Sequence, residues 1–250
     1  MIQITHVGSL PFLEVKEALE FSFSFDIPAL FTLPNRSEKE FLGQDIVELM
    51  KVEMPFYYNE FKEEALKRNT KTIKYQIVGP ITLKRLYPRF KTPELLRLCK
   101  KIISNLQADF NLILAIDEPY LFKADELEIL ELKSFILDLK KYSLESLYIH
   151  SCSRLSKEQL ESLRGINLNL NQLLYLNEKL SVEHNTFFGF ECDESLISSE
   201  DSSLLKMRFN EIQANIRFMT PACGLALKRK EDIRYYIDQL KSIRDKKNYE

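Results

Sequence analysis

Short runs rich in β-branched and aromatic residues alternate with longer stretches whose apolar positions recur every three to four residues, and the alternation continues along the whole chain. The short runs predict eight strands, over residues 2–7, 29–33, 71–78, 112–117, 146–150, 166–170, 186–190 and 216–219. The 3.6-residue period predicts helices over 13–23, 41–68, 93–107, 124–141, 157–163, 173–180, 202–212 and 230–244. Ser156 and Asp201 stand where helix N-caps are needed, and Pro93 suits a first helical turn, whose N–H groups have no intrahelical acceptor. No Ser/Gly-rich linker, low-complexity tract or internal repeat interrupts the pattern, so residues 1–250 are expected to form a single domain.

Strands and helices in strict alternation predict a parallel sheet with crossover helices, and at this length the closed (β/α)8 TIM barrel, an α/β fold, is the natural solution. The alternative is an open doubly wound sheet. That fold places a glycine-rich phosphate turn after its first strand, and Gly8-Ser9-Leu10-Pro11 is not such a turn.

Composition narrows the function classes. Hydrophobic residues make up 45% of the chain and charged residues 29%, enough to bury a substantial core. The net charge is −2, and basic residues are interspersed with acidic ones, so the electrostatic footprint of a nucleic-acid binder is missing. No apolar run approaches the ~18 residues of a membrane span. The first six residues, Met1 to His6, read as a strand rather than a signal peptide, and a cytoplasmic location is expected. In a reducing compartment the four cysteines stay thiols, with structural, metal-binding or catalytic uses.

In a barrel of this kind the residues just past each strand form the active-site face. Here they include His6, Gly8 and Ser9; Arg36; Asp117 and Glu118; His150 and Cys152; Glu191 and Cys192; and Cys223. His150 and Cys152, two apart on a strand, point to one side, and the last strand of a closed barrel neighbours the first, so Cys223 can reach across the mouth. Two thiolates and an imidazole suit Zn2+ and leave a fourth position open. The competing reading is that the cysteines are small buried hydrophobes and the histidine is merely hydrogen-bonded. Asp117 and Glu118, before Pro119, offer substrate binding and proton transfer, or simply open a helix. Gly8 and Ser9 supply donors for a carboxylate, or a turn. Arg36 grips an anion, or neutralises a nearby Asp. His6 is either a site residue or structural, Cys99 reads as core packing, and His184 as a surface loop residue.

Gly8-Ser9-Leu10-Pro11, Leu33-Pro34-Asn35-Arg36-Ser37, Val78-Gly79-Pro80-Ile81, Ile116-Asp117-Glu118-Pro119, His150-Ser151-Cys152 and Thr220-Pro221-Ala222-Cys223-Gly224 occur in this order. In this the chain resembles the superfamily of uroporphyrinogen decarboxylase and cobalamin-independent methionine synthase, nearest to its single-barrel members. The resemblance implies that His150, Cys152 and Cys223 bind zinc and that Asp117 recognises a substrate amine. It also implies a methyltransferase that moves a methyl group from a folate or a methylated corrinoid protein to a small zinc-activated thiol. The sequence departs from the family where a glutamate ligand is expected: residues 167–171 read Asn-Leu-Asn-Leu-Asn, which leaves Glu191 as the replacement. Leu33 likewise stands at a position of a substrate-contacting glutamate. The alternatives are a decarboxylase-like barrel acting on a carboxylated substrate and a non-catalytic zinc or corrinoid binder.

Overall fold

The structure, a computed structural model, describes residues 2–41, 43–171, 186–190, 217–221 and 223–245. Its strands are β1 (Gln3–Ile4), β2 (Thr72–Val78), β3 (Asn111–Asp117), β4 (Ser146–Ser151), β5 (Leu168–Asn171), β6 (Thr186–Phe190) and β7 (Phe218–Pro221). All pair in parallel, in the order β1-β7-β6-β5-β4-β3-β2.

The two edges of this sheet meet through residues 28–32. The Leu30 N–H donates to Lys74 O (2.9 Å) and the Lys74 N–H to Pro28 O (3.0 Å). On the other side the Thr32 N–H donates to Gly8 O (2.9 Å) and the Leu10 N–H to Thr32 O (3.0 Å). With the parallel bridges Ala29–Lys74 and Ser9–Thr32, these bonds supply an eighth strand position and close the sheet. The fold is the expected (β/α)8 barrel rather than the open sheet.

Among the described residues the helices are α1 (Val15–Ser22), α2 (Gln44–Val52), α3 (Tyr58–Lys67), α4 (Pro80–Leu86), α5 (Thr92–Gln107), α6 (Glu126–Leu139), α7 (Lys157–Ser162) and α8 (Lys230–Asp245). Ser156 caps α7 through a capping box with Gln159, and Asp125 does the same for α6 with Glu128. None of these helices is long and apolar enough to cross a membrane.

Strand parity divides the core. On β3, Leu112, Leu114 and Ile116 face the helices and join the main apolar cluster, in which Cys99 is also buried. Ile113 and Ala115, on the opposite side, pack with Ile27, Tyr148 and Phe218 inside the barrel, towards the N-terminal ends of the strands.

Three expectations are corrected. The helix predicted over 41–68 is two, because Pro55 has no N–H to donate and Glu53 and Tyr57 adopt left-handed backbone angles (φ 55° each). The first strand pairs only at Gln3 and Ile4, short of the predicted 2–7. Helix α4 was not expected at all. The predicted helices over 173–180 and 202–212, the Asp201 cap, and the candidates His184, Glu191 and Cys192 lie outside the described residues.

Candidate functional site

Above the apolar floor the barrel interior turns polar. Lys74, fully buried on β2, donates through Nζ to His6 O (2.5 Å) and to Gln76 Oε1 (3.1 Å). Gln76 in turn hydrogen-bonds the Asp117 carboxyl at the end of β3. Burial pushes Asp117 up to about 6, against the pull of Gln76 and the Lys74 charge. The same burial brings Lys74 down to about 7, opposed by Asp117. Both groups therefore change protonation near neutral pH. Across the barrel, Asn169 Nδ2 donates to Thr220 Oγ1 (2.8 Å), and the Tyr148 hydroxyl hydrogen-bonds Asn169.

A cavity of about 300 Å³ opens at the C-terminal ends of the strands, lined by Gly8, Ser9, Asp117, His150, Cys152 and Cys223. Cys152 and Cys223, 71 residues apart in sequence, are hydrogen-bonded to each other, and that bond lowers the Cys152 pKa despite burial and the Asp117 charge. Both are free thiols. His150, buried, precedes Cys152 by two residues in the same wall. Among the described residues, no group of three or more His, Cys, Asp or Glu side chains is gathered closely enough to hold a metal ion. Two thiols in contact, in a wall that also carries an imidazole, nevertheless have the donor chemistry of a soft or borderline divalent cation.

The loops at the mouth are tied together. The Leu225 N–H donates to Ser9 O (2.8 Å), and Asn35 Nδ2 donates to Ala226 O (3.0 Å). Gly224 packs so closely on Ser9 that a Cβ there would collide with Ser9 Oγ. Ser9 therefore faces the cavity from a braced turn. The opposite wall is apolar, with Leu30, Phe31, Phe41, Leu49 and Phe56 contributed by residues 28–32 and by α2 and its flanks.

Not every expected site residue is there. Glu118, fully buried, accepts from the N–H groups of Ile81 (2.9 Å) and Thr82 (2.8 Å) and from Thr82 Oγ1 (2.7 Å). It holds the N-terminus of α4 and is not part of the cavity wall, which corrects its assignment as a catalytic carboxyl. Burial raises its pKa to about 8, with Thr82 and Ile81 pulling the other way. Gly79 is required by this arrangement, because a Cβ would strike Glu118 Oε1. Arg36 also lies outside the cavity wall: its guanidinium stands 5.8 Å from the Tyr57 ring centre and donates to Leu13 O (3.4 Å). His6 points out of the barrel, where Nε2 meets Ser22 Oγ at 2.9 Å between Phe21 and Phe25. Burial, followed by the Lys74 charge, drives the His6 pKa down to about 3.

The structure adds a residue that sequence reasoning missed. Asp45, near the start of α2, lines the cavity, and its Oδ1 accepts from the Gly43 (3.0 Å) and Ile46 (2.9 Å) N–H groups. Burial pushes its pKa up to about 7. Gly43 followed by Asp45 at a helix start was a visible signal, but its position opposite the barrel mouth arises only from the fold.

No family model matches the chain, and no curated protein matches it. Among solved structures it is similar to the HMG-CoA lyase of Bacillus subtilis, at 13% identity and a TM-score of 0.45, over 96% of this chain and 88% of that one. The expected membership of the uroporphyrinogen decarboxylase and cobalamin-independent methionine synthase superfamily is corrected on this point: no family model, of that superfamily or any other, matches the chain. The methyltransferase assignment, its corrinoid or folate donor and the decarboxylase alternative rested on that membership and fall with it. The likeness to the lyase is too remote to assign an activity in their place.

Proposed function

We propose that the chain is a metal-dependent enzyme that works on a small molecule in the barrel mouth, with His150, Cys152 and Cys223 as ligands for zinc and Asp117 as the acid–base group. The observation that carries this reading is the hydrogen bond between Cys152 and Cys223 in a cavity wall that also contains His150. Two cysteines remote in sequence meet where a barrel binds its substrates, not in the core where cysteine packs as a hydrophobe. A zinc ion held there would supply Lewis acidity to a carbonyl of the substrate.

The protein groups divide the remaining work. Asp117, with a pKa near 6, accepts a proton at neutral pH and returns it within the same turnover. Gln76, whose oxygen is taken by Lys74, presents its amide hydrogen to Asp117 and holds that carboxyl in place. Gly8 and Ser9 offer donors to a polar head group, and Leu30, Phe31 and Phe56 receive an apolar body. A cavity of about 300 Å³ fits a small metabolite with little room to spare.

Metal analysis with thiol alkylation tests the proposal. The expected result is about one zinc per chain, with Cys152 and Cys223 protected from alkylation until a chelator is added. Metal-free protein whose two thiols alkylate freely, and whose alkylation is not slowed by added zinc, would overturn it.

A further inference from the structure

Of the eleven large hydrophobic side chains exposed among the described residues, three lie on one helix: Leu127 (77% exposed), Leu130 (63%) and Leu137 (60%) of α6. The inward face of α6, formed by Ile129, Leu132, Phe135, Ile136 and Leu139, is already buried against the barrel. The leucines, with exposed Ser134 between them, follow a 3-4-3 spacing and form a stripe along the opposite side, about 15 Å long at the helical rise of about 1.5 Å per residue. A barrel helix needs one apolar face. The adjacent α5 has only one, and turns Arg97, Lys101, Ser104 and Asn105 to water.

We propose that this stripe is a self-association surface on which α6 of a second copy docks antiparallel. The choice of occupant rests on charge. Glu126 and Lys140, both exposed, are fourteen residues apart and so lie on the same flank of the stripe, one at each end, where among the described residues Lys140 Nζ is held only by a long contact to Gly165 O (3.4 Å). An antiparallel twofold pairing sets Glu126 beside the partner subunit's Lys140, and Lys140 beside the partner subunit's Glu126. A parallel pairing sets opposite flanks against each other and forms neither of these ion pairs. Small Ser134 then faces the partner's Leu130, which allows the two helices to approach closely. Lys133, midway along the same flank, is drawn aside to Ser162 O (2.9 Å) and does not oppose its own copy. On the other flank, Glu128, Glu131 and Asp138 are neutralised within the chain by Arg85, Lys84 and Lys141.

Three leucines and a serine per copy cover less than the ~800 Å² per partner of a tight complex, so the dimer forms in the micromolar range. Analytical ultracentrifugation of the full chain from about 1 to about 500 µM tests this. The expected result is a concentration-dependent monomer–dimer equilibrium that Leu130→Glu abolishes and that Glu126→Lys or Lys140→Glu alone weakens by about tenfold. The double variant Glu126→Lys/Lys140→Glu restores it. Circular dichroism reports whether each variant is folded, which exposed positions should preserve. A monomer throughout the range, a dimer insensitive to Leu130→Glu, or a double variant as weak as the singles would each overturn the proposal.

Discussion

At the floor of the barrel the inward positions on β3, β4 and β7 are Ala115, Tyr148 and Phe218, packed with Ile27 and Ile113. Two residues further along the same strands stand Asp117, His150 and Thr220. One two-residue repeat at the same inward parity separates an apolar plug from a polar, titrating mouth. Enclosing a carboxyl, an imidazole and a lysine in a protein carries a desolvation penalty that an apolar plug avoids, and it displaces Asp117 and Lys74 towards neutral pKa values. Such groups belong where loops admit a ligand. The floor serves stability and the mouth serves chemistry, and substitutions at each should separate the two.

The largest effect is expected at the floor. Phe218→Ala should lower unfolding stability by about 3–5 kcal/mol in a denaturant titration, because it empties a closely packed interior. The thiol reactivity of the folded fraction should not change, and a loss below about 1 kcal/mol would mean the floor is not packed as described.

Next comes the contrast between neighbouring carboxyls. Glu118→Ala leaves the buried N–H groups of Ile81 and Thr82 without their acceptor and should cost about 2–3 kcal/mol. Asp117→Asn should cost less than about 1 kcal/mol, since it keeps the shape and a hydrogen-bonding site, while removing the group that titrates near 6. Infrared or NMR titration of the two variants would show whether that carboxyl is Asp117.

At the mouth, Cys152→Ser and Cys223→Ser should each change stability by less than about 1 kcal/mol in metal-free protein and abolish tight zinc binding. Retention of zinc by both variants would move the metal elsewhere.

The last contrast is in the pH dependence. His6 titrates at about 3 when folded and near 6.5 when unfolded, so between these values the unfolded chain binds the extra proton. His6 therefore makes stability fall as pH drops from about 6.5 towards 3. Asp45 and Asp117, with raised pKa values, oppose that slope as they take up protons in the folded state between about 4 and their values of about 7 and 6. A His6→Gln variant should be less acid-labile than the parent over this window. Equal slopes for the two would show that the folded His6 ring is protonated like the unfolded one.

Several features were legible along the chain for physical reasons. β-branched runs bounded by polar turns mark strands, Ser156 marks the start of α7, and His150-x-Cys152 places two donors on one side of β4. Pro55 was a readable break that the long apolar period around it masked. Helix α4 was not readable, because what holds its first turn is Glu118, thirty-six residues away from Thr82. Arg36 and Glu118 looked like site residues because they follow strands, but their side chains are taken up by Tyr57 and by α4.

The order of the strands, the barrel class and the presence of carboxyls, thiols and an imidazole at strand ends were determined by the sequence alone, since hydrophobic period and turn chemistry are local properties. Which of two adjacent carboxyls faces the cavity was decided only by the tertiary structure. β3 is buried on both sides and apolar at both parities, so no alternation marks its inward face. Only ring closure through residues 28–32 and the docking of α4 and α2 turned Asp117 to the mouth, Glu118 to a helix end, and Asp45 in from a helix that the sequence alone read as ordinary.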